Sequence, residues 1–471
     1  MDGLECSEIN RSELERTLRI DSEFYSKSAI KISDMLQSRS HDLLTTFVNV
    51  SDGNHMGISD CFIDEGVPYY RGQDAGAFFI ENSNPICINE KTFELPVMKR
   101  SHLKKGDVIL SIVGTIGSLS LVYSDKSATC SCKLAILRPK EGKSAELLAT
   151  FLRGKYGQAQ ITRFTRGAVQ KGLILEDMDQ LVVPTFGDGI VEAIKNAVQS
   201  AYQIQEKANI HYREAQRTLM NSVGSILVPA ESVSVRNIST SFYTTGRLDA
   251  EYYQPKYDIL FDELKKFSCK RLGGPNGIVN IKKSIEPGSE AYTEDGIPFV
   301  RVSDISKFGI SEPDIKLRSD IIPNPEVLFP PKDTILLSKD GSVGIAYKVE
   351  ATMPIITSGA LLHLKVRDKT EVLPDYLTLV LNSPVVQLQA ERDSNGAIIQ
   401  HWKPSEIENV IIPILDMDTQ KEIAAKVQEA FTLRKQSKQL LEYAKQAVEM
   451  AIEQGEDVAL AWLKDKIPVE V

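Results

Sequence analysis

One motif occurs twice in this chain, first as Arg19-Ile20-Asp21-Ser22-Glu23-Phe24-Tyr25 and again as Arg247-Leu248-Asp249-Ala250-Glu251-Tyr252-Tyr253. Further segments recur in the same order, each about 230 residues later: 65–71 with 295–301, 113–117 with 340–344, 166–171 with 395–401, 181–184 with 410–413, and 198–202 with 427–431. The repeats of solenoid proteins are only about 20–50 residues long, so this period indicates a duplicated domain. Duplication predicts a protein that binds two similar targets at once.

The bulk composition is typical of a globular protein. The chain has 471 residues, of which 42% are hydrophobic and 25% charged, and a domain usually takes about 100–200 residues. Its apolar runs are far shorter than the roughly 20 residues needed to span a bilayer. The first residues are neither basic nor apolar, unlike a signal peptide. We therefore expect a cytoplasmic protein of several domains that has no membrane partner.

The charge is distributed unevenly along the chain. The net charge of −9 argues against a simple nucleic-acid binder. Residues 96–171, however, contain fourteen Lys and Arg against four Asp and Glu, which favours a local DNA-binding face. Ordinary solvated charges remain the alternative. The second copy is less basic, so we expect the two halves to bind differently.

Each copy is predicted to have a mixed part followed by a long helix. Buried strands are expected at 108–113, 135–137, 334–338 and 361–366, and short helices at 145–154 and 374–382. Residues 190–223 and 414–454 lack Pro and Gly and carry apolar or small residues at helical spacing. Small residues allow close approach, so the two long helices are expected to pair with each other. The alternative is that each helix packs only on its own domain.

Catalytic motifs are largely missing from the sequence. It contains neither a P-loop nor an H-E-x-x-H motif, and no Asn/Asp-Pro-Pro-Tyr/Phe motif of an amino-methyltransferase. Cys130 and Cys132 form a C-x-C pair without further ligands at suitable spacing, so zinc is not favoured. The Gly114–Gly117 and Gly341–Gly344 turns indicate either tight turns or backbone that contacts a phosphate. We therefore expect a non-catalytic protein that needs no cofactor and no metal.

Polar residues in repeated loops are the candidate DNA-binding residues. Arg, Asn and Gln can read base edges, whereas Lys holds phosphates. The predicted contacts are Arg71, Gln73, Arg163, Arg166, Gln170 and Lys171 in the first copy, and Arg301, Ser303, Lys339, Arg392, Asn395, Gln400, His401 and Lys403 in the second. Arg71 with Asp74, and Arg301 with Asp304, are alternatively structural ion pairs.

The ordered motifs R-[IL]-D-x-E-[FY]-Y, G-[VI]-P-aromatic-x-R, G-x-[IV]-G and a Gly-Ala loop before a long helix resemble the specificity (S) subunit of Type I restriction–modification systems. The resemblance covers residues 15–452. It implies an α+β fold with two tandem target recognition domains and two long helices that form an antiparallel coiled-coil spacer. The expected divisions are recognition domains at 1–186 and 227–415, helices at 187–226 and 416–454, and a C-terminal tail at 455–471.

The resemblance also implies the function and the partners. A specificity subunit reads a split site in double-stranded DNA, has no catalysis of its own, and docks two methyltransferase subunits and a translocating nuclease subunit in phage defence. Because the loops of the two copies differ, we expect an asymmetric target. The alternative is a scaffold that binds two copies of a protein and no DNA; the net acidity favours it, whereas the basic first domain and the amide-rich loops disfavour it.

Overall fold

A computed structural model describes residues 6–80, 85–167, 171–224, 233–396 and 399–467. The chain divides into two compact units. Unit 1 combines Met1–Glu206 with Arg434–Val471, whereas unit 2 is the continuous segment Lys207–Leu433. Unit 1 is therefore assembled from both ends of the chain. Each unit contains one part of the long helix 188–223 and one part of the long helix 417–454.

In its described residues the first half contains six α-helices and ten strands. The helices are α1 (Lys27–Gln37), α2 (Leu44–Phe47), α3 (Glu90–Phe93), α4 (Ala145–Arg153), α5 (Lys155–Phe164) and α6 (Asp188–Val223). The strands are β1 (His41–Leu43), β2 (Val48–Asp52), β3 (Phe62–Ile63), β4 (Val67–Tyr70), β5 (Cys87–Ile88), β6 (Val108–Ser111), β7 (Leu119–Leu121), β8 (Thr129–Cys130), β9 (Leu134–Pro139) and β10 (Val182–Pro184).

The second half continues with the same types of element. The helices are α7 (Phe242–Thr245), α8 (Pro255–Leu264), α9 (Pro374–Leu381), α10 (Pro384–Asp393), α11 (Pro404–Glu408), α12 (Met417–Gln454) and α13 (Glu456–Lys466). The strands are β11 (Cys269–Arg271), β12 (Val279–Lys283), β13 (Tyr292–Thr293), β14 (Ile297–Val300), β15 (Ile305–Ser306), β16 (Gly309–Ile310), β17 (Lys316–Leu317), β18 (Ile335–Ser338), β19 (Ala346–Lys348), β20 (Ile356–Thr357), β21 (Leu361–Val366) and β22 (Ile411–Pro413).

The sheets of the two halves have the same topology. A four-stranded sheet has the order β2-β9-β6-β7 in the first half and β12-β21-β18-β19 in the second. A second sheet has the order β3-β5-β4-β8 in one half and β13-β17-β14-β20 in the other. In both copies of this second sheet the last pair of strands is parallel. The strand order therefore confirms that the repeated sequence is a duplicated fold.

The predicted strands and short helices are confirmed. β6 and β18 are buried along their whole length, which is why they consist of continuous apolar runs rather than alternating residues. β9 and β21 pair with them at the centre of the sheets. α4 and α9 occupy the two predicted helical segments. α5 and α10, which follow directly and precede the candidate loops, have no counterpart among the predicted elements.

The two long helices pair with each other inside each unit. In unit 1, Ala201 of α6 and Ala444 of α12 are fully buried in one core, and the Ser437 hydroxyl donates a hydrogen bond to the Ala201 carbonyl at 2.7 Å. In unit 2, Glu214 lies 4.0 Å from Lys426 and Thr218 lies 3.5 Å from Glu422. Residue numbers rise along one helix as they fall along the other, so the pairing in unit 2 is antiparallel.

A further helix, α13, occupies the C-terminal segment, for which the sequence analysis predicted no secondary structure. It follows Gly455, whose φ of 101° is accessible to glycine at little cost. Leu463 is buried in the core of unit 1, and the Glu456 carboxylate accepts a hydrogen bond from the Gly187 N–H at 2.7 Å. This carboxylate lies beside the start of α6, where a negative charge is favourable. None of the helices in the described ranges is long and apolar enough to span a membrane.

Candidate nucleic-acid interface

Three loops meet in unit 1 near the end of β6. The backbone groups of Arg166 and Gly172 exchange hydrogen bonds of 2.8 and 2.7 Å, closing the loop between them. The next residue, Leu173, donates its N–H to the Ile112 carbonyl at 2.9 Å. The Thr115 hydroxyl donates to the Gly72 carbonyl at 3.0 Å. The repeated segments 71–74 and 113–117 therefore come together with Arg166 and Gly172, although they are distant in sequence.

The corresponding loop of unit 2 is closed in the same way. Asn395 and His401 exchange backbone hydrogen bonds of 3.0 and 2.7 Å. Gly341 donates its N–H to the Gln400 carbonyl at 2.9 Å, and Trp402 donates to the Lys339 carbonyl at 2.7 Å. These contacts attach loop 395–401 to the end of β18. Each unit thus presents one closed loop beside its Gly-x-x-Gly turn.

The Gly-x-x-Gly segments form tight turns, in agreement with the first of the two sequence interpretations. Gly117 and Gly344 have φ values of 88° and 87°, a region in which other residues are strained. A glutamine from α5 or α10 binds each turn: Gln158 donates to the Gly117 carbonyl at 3.0 Å, and Gln387 donates to the Gly344 carbonyl at 2.8 Å. The sequence analysis missed this glutamine pair, although it recurs at the offset of the repeat.

Arg71 and Arg301 have the same surroundings in their respective units. Each backbone N–H donates to the carboxylate three residues later, Asp74 or Asp304, at 2.8 Å. Each guanidinium Nε also lies 3.7 Å from that carboxylate. The structural ion pairs considered as an alternative are therefore present in both copies. Their neighbours Gln73 and Ser303 are exposed.

In unit 1 the predicted arginines are held by internal partners. Arg166 forms an ion pair with Asp177, which is almost fully buried. The Arg163 Nε donates to the Phe24 carbonyl at 3.0 Å, and burial lowers the pKa of Arg163. Lys171 is exposed and lies 3.5 Å from Glu23. The predicted contact Gln170 lies outside the described residues.

In unit 2 the last residue of the loop, His401, binds an aspartate. His401 Nδ1 lies 2.8 Å from an Asp340 carboxylate oxygen, and Lys339 binds the same carboxylate. Burial by itself raises the pKa of Asp340, but the hydrogen bonds from Lys339 and His401 lower it below its ordinary value. The Asn395 side-chain amide donates to the Asp393 carbonyl at 3.1 Å. The loop of unit 2 is thus fixed by different side chains from those in unit 1.

The predicted contacts therefore fall into two groups by accessibility. The exposed predicted contacts are Gln73, Lys171, Ser303, Asn395, Gln400, His401 and Lys403. Those partly buried, each with an internal partner, are Arg71, Arg163, Arg166, Arg301, Lys339 and Arg392. Lys403 lies 3.7 Å from Glu406 and is still two-thirds exposed. Contact of these residues with DNA remains a prediction.

One part of the chain matches a known protein family. Residues 265–443 match the family model of the Type I restriction modification DNA specificity domain. The resemblance seen in the repeated motifs is confirmed by this match, and this part of the chain is similar to such a domain. The first half has the same sheet order as the second, although the match itself does not extend to it. No curated protein sequence matches the chain.

Solved structures from Type I restriction–modification systems also match the chain. The Type-I restriction-modification S subunit from M. genitalium is 14% identical, with 90% of this chain and 95% of that chain covered and a TM-score of 0.35. The HsdS subunit from Thermoanaerobacter tengcongensis is 15% identical, with 92% and 97% covered and a TM-score of 0.27. A structure from a study of type I R-M complex assembly is 16% identical, with 92% and 98% covered and a TM-score of 0.28.

Proposed function

We propose that this chain is a non-catalytic DNA specificity subunit that reads a split, asymmetric target with two recognition domains. One observation carries the proposal: the two halves share their framework but differ in the side chains of the loops that the framework presents. The family match supports DNA recognition by residues 265–443. The repeated sheet order extends the proposal to the first half. The proposal includes a cytoplasmic location, because the proposed ligand is DNA.

The difference between the loops is the physical basis of an asymmetric target. Loop 166–172 is anchored by the Arg166–Asp177 ion pair, whereas loop 395–401 is anchored through His401 and Asp340. Different side chains present different donors and acceptors to base edges, and a good bidentate contact discriminates between bases by about 1–3 kcal/mol. Two domains in one chain combine their discrimination, because the second binding event is intramolecular.

The long helices are proposed to act as a spacer between the recognition domains. α6 has 36 residues and α12 has 38, and helices of this length with a small-residue seam form stiff pairs. Such a spacer fixes the distance between the two half-sites. The same proposal includes two methyltransferase subunits and a nuclease and translocase subunit as partners, which supply all catalysis.

A selection from random DNA tests this function. The full chain, alone and with a methyltransferase partner, is incubated with duplexes that carry a randomised central region, at salt concentrations from 50 to 200 mM. The bound duplexes are then sequenced. We expect two short unequal motifs at a fixed separation. If no duplex is retained at any salt concentration, the recognition function is wrong and the protein scaffold takes its place.

Matched variants assign the half-sites to the two loops. Gln170→Ala should relax the preference at one half-site, and Gln400→Ala should relax it at the other, because each loop reads its own bases. Loss of preference at both half-sites in either variant would instead indicate a role in the fold or in phosphate binding. Incubation of the isolated chain with S-adenosylmethionine or Mg²⁺ and DNA tests the non-catalytic assignment, since any methylated or cut product contradicts it.

A further inference from the structure

The repeated motif that begins each half contributes an arginine and an aromatic ring to a shared cluster. In unit 1 the guanidinium carbon of Arg19 lies 4.5 Å from the centre of the Phe24 ring, and that of Arg163 lies 4.3 Å from the same ring. Phe24 is 3% exposed. One buried ring thus contacts two cations, one from the motif and one from the last turn of α5.

The same arrangement recurs in unit 2. The guanidinium carbon of Arg247 lies 4.4 Å from the centre of the Tyr252 ring, and that of Arg392 lies 5.1 Å from it. Arg392 also lies 4.4 Å from the Phe261 ring. Both pairs of arginines therefore share an aromatic ring, although the ring is a phenylalanine in one copy and a tyrosine in the other.

Both clusters are attached to the backbone where the candidate loops begin. Arg19 is held by two hydrogen bonds to Asp21, of 2.8 and 2.7 Å, and a guanidinium nitrogen also donates to the Thr165 carbonyl at 3.4 Å. Arg247 donates to the Asp393 carbonyl at 3.1 Å. Thr165 immediately precedes loop 166–172, and Asp393 lies two residues before loop 395–401.

We infer that Arg163 and Arg392 are positioning residues that hold the recognition loops through the shared ring, rather than contacts to DNA. The inference rests on the proposed DNA-recognition function. We name the group of Arg19, Phe24 and Arg163 the first clamp, and the group of Arg247, Tyr252 and Arg392 the second clamp. The clamps occur in both units, whereas the loops that they hold differ in sequence.

The electrostatics of the first clamp supports this role. Burial lowers the pKa of Arg163, and the positive charge of Arg19 lowers it further. Two like charges beside one ring repel each other, and the attraction of each cation to the electron-rich face of that ring offsets part of the cost. Arg163 uses its Nε to bind the Phe24 carbonyl at 3.0 Å. A lysine cannot combine this hydrogen bond with planar stacking, so Arg→Lys is not a conservative change here.

Hydrogen exchange of the loop amides tests the clamps without DNA. In Arg163→Lys, the amides of Arg166 and Gly172 should exchange about tenfold faster, while amides elsewhere in unit 1 keep their wild-type rates, because only the loop opens. A uniform increase across unit 1 would show a general loss of stability. Unchanged loop exchange would overturn the inference directly.

The second clamp supplies a matched pair of variants. Tyr252→Phe keeps the ring and removes only the hydroxyl, so the exchange of the Asn395 and His401 amides should stay at the wild-type rate. Tyr252→Leu removes the ring and should accelerate the same two amides about as much as Arg392→Lys does. Wild-type exchange in Tyr252→Leu, or equal acceleration in both tyrosine variants, would show that the ring does not hold the loop.

DNA binding distinguishes positioning from phosphate contact. With the randomised duplexes as the probe, Arg163→Ala and Arg163→Lys should both lose the preference at one half-site and keep the wild-type salt dependence. A phosphate contact would behave differently: Arg163→Ala would lower the slope of log K against log salt by about 0.9, and lysine would restore it. That outcome overturns the inference. Absence of any split motif for the wild-type chain would instead remove the proposed function, while the exchange results would still test the loop contacts.

Discussion

Acidification should destabilise unit 2 through His363, a buried histidine in β21. His363 is 9% exposed, and its Nε2 lies 2.8 Å from the Thr357 hydroxyl. Burial lowers the pKa of His363 to about 4, and the charge of Lys282 contributes in the same direction. An unfolded histidine has a pKa of about 6.5. Between these values the unfolded chain binds a proton that the folded chain does not, so stability falls as the pH falls.

The size of the effect follows from the two pKa values. From pH 7 to pH 5 the contribution of His363 to the free energy of unfolding should decrease by about 2 kcal/mol. His363→Gln removes the titrating group and keeps a polar side chain. Urea denaturation at both pH values should therefore show that the variant loses about 2 kcal/mol less than the wild-type protein for the transition of unit 2.

The control for this prediction is the pH range in which the histidine is neutral in both states. Between pH 9 and pH 7.5 the wild-type protein and the His363→Gln variant should show the same change in the free energy of unfolding. If the two proteins also lose the same stability between pH 7 and pH 5, His363 is not buried in its neutral form and the reasoning is refuted.

Three other perturbations test the packing of the two units. Lys348→Met leaves the buried Asp375 without the ammonium group 2.7 Å away and should lower the free energy of unfolding by about 3–5 kcal/mol in urea denaturation. The double variant Lys348→Met with Asp375→Leu should recover much of this lost stability. Ser437→Ala removes the hydrogen bond from the Ser437 hydroxyl to the Ala201 carbonyl and should cost about 1 kcal/mol, measured as a lower midpoint for unit 1. Cys130 is buried, and burial raises the pKa of its thiol. In the native protein a thiol reagent should therefore label the exposed Cys6 and leave Cys130 unlabelled until urea is added. Equal labelling rates for the two cysteines would contradict the buried position of Cys130.

Much of the fold could be predicted from local pattern and repetition. β6 and β18 are fully buried strands, and their continuous apolar runs are visible in the sequence. α6 and α12 have small and apolar residues at helical spacing and no internal proline. Such patterns can be recognised within a single strand or helix, because the buried face of that element consists of its own apolar residues.

The candidate site was less predictable, because its side chains bind partners that are distant in sequence. Arg166 is a predicted DNA contact, and only the structure shows that it pairs with Asp177. Gln158 and Gln387 were not noticed, although each binds a Gly-x-x-Gly turn. A polar residue in a loop has the same local signature whether it faces solvent or a buried partner. Only the approach of another segment decides between the two.

The sequence by itself determined the duplication, the central strands, the long helices and the framework motifs, since each leaves a periodic or repeated trace. The tertiary structure decided which residues hold the loops and which remain exposed. Only the tertiary structure shows that both ends of the chain contribute to unit 1. The same holds for the hydrogen bond from the Gly187 N–H to Glu456 of α13. These features depend on contacts between segments hundreds of residues apart, and such contacts are determined by the packing of the whole core rather than by local residue preferences.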